Sequence, residues 1–175
     1  DGQASSFWHQ WKKIQEPHKQ ILRRMGAEGT PLEQRVFGRG YHLRPSLFQP
    51  YECENVLLQG VTIKDSPFWT IHPTFCRNVV IRHVSVEPGT TNDDGCDPDS
   101  CRDVLIEHCR IHTADDNIAI KAGRDQDAWG GPACENVIIR HCTLIYSNAN
   151  GICIGSELSG DVRSVFVENC LIHRA

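Results

Sequence analysis

CENVLLQGVTI at residues 53–63 returns four times along the chain: CRNVVIRHVSV at 76–86, CRDVLIEHCRI at 101–111, CENVIIRHCTL at 134–144 and VRSVFVENCLI at 162–172. The starts lie 23, 25, 33 and 28 residues apart. A period of twenty-odd residues with variable insertions is the mark of a solenoid. In each copy apolar residues alternate, a turn follows, and a second short apolar pair closes the phrase, which is strand and not helix periodicity. The chain therefore reads as all-β, a single-stranded parallel β-helix of about five coils over residues 46–175. Residues 1–45 do not repeat and are expected to pack on the solenoid as a partly helical segment.

The repeat also explains the nine cysteines, an odd number with no C-x-x-C pair. Cys53, Cys76, Cys101 and Cys134 share one position, filled by Val162 in the last copy. Cys109, Cys142 and Cys170 share another, where earlier copies have Val61 and Val84. Thiol and valine exchange because both are small and apolar enough for an interior column. His83, His108 and His141 precede the second column, at a position that holds Gly60 and Asn169 elsewhere. They are expected to face outward at a turn, as structural residues and not metal ligands. Upstream, Pro17 followed by His18–Met25 and Gly26 predicts a short helix with a Pro start and a Gly stop. Trp8, Trp11 and Ile14 are spaced for one helical face.

Charge is unevenly placed. The net charge is −4, and no apolar run approaches the ~18 residues of a membrane span, so neither a nucleic-acid nor a membrane partner is expected. Residues 1–40 carry seven Lys/Arg against four Asp/Glu, whereas 91–127 carry four against ten. Between the repeated phrases lie the remaining strands of each coil. Aligning Ile71, Cys96, Ile118 and Ile152 as an inward column places Trp69, Asp94, Asp116 and Asn150 in register. Stacked strands lie about 4.8 Å apart, so Asp94 and Asp116 should be near neighbours, with Asp115 beside them at the turn. Carboxylates so close resist joint ionisation, and the trio suits acid/base hydrolysis or cation binding. Asp93, Asp99, Asp103, Asp125 and Asp127 read as turn residues that bond the backbone.

These residues resemble glycoside hydrolase family 28, the polygalacturonases and related pectin hydrolases. Asn92-Asp93-Asp94-Gly95-Cys96-Asp97 is similar to the family's Asn-Thr-Asp-Gly-x-Asp segment, with Asp93 in place of Thr. Asp115-Asp116 resembles its paired aspartates. Ile154-Gly155-Ser156-Glu157 with Ser159-Gly160 resembles its Ile-Gly-Ser-Glu-x-Ser-Gly run, and Asp1-Gly2-Gln3-Ala4 its Asp-Gly-x-Gly start. The resemblance implies a right-handed β-helix and inverting hydrolysis of α-1,4-galacturonosyl linkages, with no cofactor and no metal. Asp115 is then the general acid, and Asp94 and Asp116 hold and deprotonate the attacking water. Asn92, Asp97 and Asn150 are its substrate-binding candidates, with a pectic polysaccharide or oligogalacturonide as partner and a secreted or periplasmic location.

Asn150 stands where the family has His, and the family's Arg-x-Lys substrate clamp is expected beyond Ala175. Without that clamp, an acidic cleft would repel an anionic polymer. The chain begins without Met and stops inside an apolar pattern, so it reads as the central part of a longer protein. Two alternatives remain on the sequence: a catalytically impaired β-helix that binds pectic saccharide, and a calcium-dependent pectic lyase.

Overall fold

Alternating Val and Ile leave one face of each strand apolar, and five such strands stack in parallel without a register slip. The structure, a computed structural model, describes residues 1–2, 7–146 and 148–174; Gln3 and Ala4 of the N-terminal motif lie outside them. Its strands are β1 (Glu54–Gln59), β2 (Thr62–Ile63), β3 (Arg77–Arg82), β4 (Ser85–Val86), β5 (Arg102–Glu107), β6 (Arg110–Thr113), β7 (Ile118–Ala122), β8 (Cys134–Arg140), β9 (Thr143–Tyr146), β10 (Ile152–Leu158), β11 (Val162–Glu168) and β12 (Leu171–Arg174). The first sheet runs β1-β3-β5-β8-β11 and the second β2-β4-β6-β9-β12. The third pairs only β7 with β10 and continues through single parallel bridges, Phe48–Ile71–Cys96–Ile118. This is a parallel β-helix, one strand of each sheet per coil.

The repeated columns are the core. Val56, Val79, Val104, Val137 and Val165 are in register, as are Leu58, Ile81, Ile106, Ile139 and Val167. The middle members of both columns are buried, and each such side chain contributes about 1.5–3 kcal/mol relative to exposure. The cysteine columns lie inward with them, and all nine cysteines are free thiols. Their sulfurs bond carbonyls two residues back, as Cys101 to Asp99 at 3.3 Å and Cys109 to Glu107 at 3.3 Å. Burial pushes the Cys134 thiol up to about 12.

The histidine position has a backbone reason. Gly60, His83, His108, His141 and Asn169 all adopt positive φ, between 52° and 69°, at the turn joining the first sheet to the second. That left-handed turn favours Gly and Asn and tolerates His. The imidazoles stack outside the coil with centroids 5.1 and 5.0 Å apart.

The N-terminal segment forms α1 (Phe7–Ile14) and α2 (Glu16–Ala27). Pro17 lies in the first turn of α2, as expected, but Gly26 does not stop it. Gly26 sits inside the helix because a Cβ there would come 2.6 Å from Asp127 Oδ2; the chain reverses instead at Gly29, with φ 68°. Arg35 holds the same Asp127 with two bonds, 2.7 and 2.9 Å, fastening the segment to the 3₁₀ turn Asp125–Ala128. Trp8 and Trp11 meet at 4.6 Å, and Trp11 packs on His42 at 5.0 Å. Ile14, expected on their face, is exposed.

Candidate active site

The third sheet is where the acids gather, because its short strands leave polar turns facing one cleft. The bridges Ile71–Cys96 and Cys96–Ile118 and the pair Ile118–Ile152 set the register. They align Trp69, Asp94, Asp116 and Asn150 on four successive coils, as the sequence alignment placed them. A cleft of about 1170 Å³ opens over this row, lined by Asp94, Asp115, Asp116, Asn92 and Asn150 together with Glu157.

Each carboxylate is held differently. Asp116 Oδ1 accepts from Asn150 N (2.9 Å) and Asn150 Nδ2 (2.8 Å), and its Oδ2 accepts from the Cys153 thiol at 3.1 Å. Asp115 accepts Asn92 Nδ2 at 3.2 Å on one oxygen and Asp116 N at 3.1 Å on the other. Asn92 is fixed in turn by Arg44, whose Nη2 donates to Asn92 Oδ1 at 2.8 Å. Arg44 also donates to Thr91 O (2.6 Å) and Pro67 O (3.1 Å), so its buried guanidinium is spent on the backbone and on Asn92. Asn92 and Asn150 thus use their amides on Asp115 and Asp116. Asp93, which replaces the family Thr, is buried and caps the same turn, accepting from Gly89, Ala114 and Asp115 N–H groups at 2.8–3.2 Å.

Asp94 belongs to a buried charge network centred on Lys121. The Lys121 ammonium is 2% exposed and lies 2.9 Å from Glu157 Oε2, 3.5 Å from Asp94 Oδ2 and 3.7 Å from Asp97 Oδ2, with Trp69 beneath it at 4.3 Å. Burial works against its charge, but Asp97, Asp94 and Glu157 outweigh it and hold the ammonium above its ordinary pKa. Glu157, which also pairs with Arg124, is raised by burial and brought below its ordinary value by Lys121 and Arg124. Burial pushes Asp94 up to about 7, with Asp115 and Asp116 adding to the rise and Lys121 opposing it.

One expected site residue moves out of the cleft. Asp97 was expected to meet substrate; it is fully buried beneath Lys121, and its carboxyl oxygens have no hydrogen-bond partner among the described residues. Strand alternation turns it away from the inward Cys96, but Lys121 then closes over it. Burial, with Asp94 beside it, lifts its pKa well above the carboxylate range. The expected acidity of the cleft is also corrected. Seven basic side chains line it against six acidic ones, because α1 and α2 bring their lysines to its rim.

Sequence reasoning missed Lys121 and Arg44. The signal for Lys121 was its place five residues after Asp116, on a strand otherwise wholly buried. Arg44 carried no local signal, since its partners come from two other coils.

The sequence profile described as glycosyl hydrolases family 28 matches residues 38–175. A probable polygalacturonase of Vitis vinifera is 33% identical over 136 residues, covering 75% of this chain and 28% of that protein. An endo-polygalacturonase of Pectobacterium carotovorum subsp. carotovorum is 32% identical over 132 residues, covering 73% and 30%. The crystal structure of a hyperthermoactive exopolygalacturonase from Thermotoga maritima superposes with a TM-score of 0.93 at 42% identity, over 97% of this chain and 41% of that one. The chain spans between a quarter and about two fifths of the length of these proteins.

Proposed function

The chain belongs to glycosyl hydrolases family 28, and from that premise we propose that it carries the catalytic acids of an enzyme hydrolysing α-1,4-galacturonosyl linkages in pectin. The observation that carries this reading is the convergence of Asp94, Asp115 and Asp116 on one cleft, with Asp94 and Asp116 in register on neighbouring coils. In the proposed step Asp115 gives its proton to the glycosidic oxygen as the bond from that oxygen to the anomeric carbon breaks. Water, held by Asp94 and Asp116, attacks the anomeric carbon from the opposite face and yields its proton to that pair. Inversion follows, and it requires roughly 6.5–9.5 Å between acid and base to admit the water.

The surrounding residues are assigned positioning work. Asn92, clamped by Arg44, turns its Nδ2 toward Asp115 and fixes that carboxyl's rotamer. Asn150 chelates one oxygen of Asp116 through backbone and side chain, which fixes the carboxylate but supplies no titrating group. Asp94, with a pKa of about 7, exchanges its proton near neutrality, the range in which an acid/base group works best. A pectic substrate goes with a secreted or periplasmic location.

The test is hydrolysis of polygalacturonate by the complete protein in the presence of a chelator. The reading expects release of reducing ends without absorbance from unsaturated products. Unsaturated ends appearing only with calcium would establish a lyase instead. Oligogalacturonide binding without turnover would establish an impaired β-helix.

A further inference from the structure

The non-repeating N-terminal segment has two lysines at the cleft that no part of the proposed chemistry uses. Lys12 and Lys13, at the end of α1, and Lys19 and Arg23, one turn apart on α2, line the same cleft as Asp94, Asp115 and Asp116. Beyond residue 40 the lining holds three cations against five acids. Each of those three is engaged: Arg44 with Thr91 O and Asn92, Lys121 with its carboxylates, Arg124 with Glu157. On the helices Lys19 pairs with Glu16 at 3.4 Å, while Lys12 and Lys13 form no ion pair among the described residues.

The position of this basic wall is set by the site itself. The buried Gln15 amide, between α1 and α2, lies against Arg44, with 3.3 Å between Gln15 Oε1 and Arg44 N. Arg44 holds Asn92, and Asn92 holds Asp115. Lys12 and Lys13 are therefore within a helical turn of a residue that the fold ties to Asp115 through two further side chains. The other end of the segment is anchored by Gly26 and Arg35 on Asp127. Helix and acids share one scaffold.

We propose that Lys12 and Lys13 form a carboxylate-binding subsite for the uronate units of a polyanionic chain beyond those at the three aspartates. The inference rests on the reading of the site as galacturonan-hydrolysing. It answers a physical need: a polymer with one carboxylate per unit must lie against five clustered acids, and screening by salt acts only over about a Debye length, ~8–10 Å. Two uncompensated ammonium groups on the facing wall offset that repulsion for the distal units. The subsite recognises charge repeated along a chain, so its contribution grows with oligomer length.

The experiment measures binding calorimetrically in the complete protein carrying Asp115→Asn to suppress turnover, with di- and hexagalacturonate as probes. Adding Lys12→Ala and Lys13→Ala should weaken hexagalacturonate about two- to thirtyfold, the range for two exposed charge pairs, and leave digalacturonate unchanged. Charge reversal to Glu at both positions should enlarge the loss. Arg77→Ala with Arg102→Ala, the same charge change on the first sheet, should not weaken the hexamer. Equal affinities in every variant, or equal loss for both lengths, overturn the subsite. Hydrolysis is assayed separately with Asp115 intact. Turnover with no length-dependent effect defeats the subsite alone, and length-dependent binding without turnover defeats the hydrolase reading alone. If neither oligomer binds, both fall.

Discussion

The first and third sheets of the same coils are built on opposite plans. The first has five strands of six or seven residues, its two inward register slots holding Val, Ile or Leu from coil to coil. The third has two paired strands and a string of single bridges, yet it buries Asp93, Asp94, Asp97, Asp99 and Lys121. Apolar columns are interchangeable and tolerant, because any residue of suitable volume fills a slot. Buried charges are specific, since each must meet a partner at hydrogen-bond distance or neutralise. A rigid apolar wall thus positions a polar one, and substitutions on the two walls should fail in different ways.

The contrast is tested hardest at the cleft. In the complete protein, Asp115→Asn and Asp116→Asn should each lower turnover by on the order of 10²–10⁴-fold with little change in the unfolding temperature. Asp125→Asn, on the exposed 3₁₀ turn, should change neither. Similar losses at all three positions, measured by reducing-sugar release, would remove the assignment.

Lys121→Met strikes both properties. It leaves Asp94 and Asp97 buried without their cation, and Glu157 with Arg124 alone, a class of change that costs about 3–5 kcal/mol, readable in denaturant unfolding. It should also move the pH dependence. Above about pH 4 an unfolded carboxyl has released its proton, whereas folded Asp94 keeps its own until about 7. The Asp94 contribution to stability therefore falls as pH climbs from 4 to about 7 and levels off beyond. Because Lys121 favours the ionised form, its loss should extend that decline upward and carry the acid limb of kcat/KM to higher pH. An unmoved limb would show that Asp94 ionisation does not govern activity.

The smallest expected effect is on the apolar wall. Ile106→Val, at the middle of its column, should cost about 0.5–1.5 kcal/mol and leave kcat unchanged. A kinetic effect there would mean the two walls are not separable.

Much of this was readable without coordinates. The five phrases dictate which residues lie inward and which coils are neighbours, because strand stacking converts a sequence period into a vertical column. The row Trp69, Asp94, Asp116, Asn150 follows from that translation alone, as does the inward placing of the two cysteine columns, whereas Cys153, outside them, meets Asp116 in the cleft. Helix α2 was legible as a helix but not in its extent, since Gly26 answers to Asp127, a hundred residues later in the chain.

What only the tertiary structure decided is lateral. Whether Asp97 met substrate or lay beneath Lys121 depended on a side chain one coil away reaching over it. Glu157 and Arg44 enter the site from a later strand and from the segment before the repeats. The cleft's charge balance turned on two helices outside the repeat. A solenoid sequence specifies neighbours along its axis, because each coil is displaced from the last by one strand spacing. Neighbours across the cleft come from elements with no such period, and their meeting is set by packing and by the need to pair every buried charge.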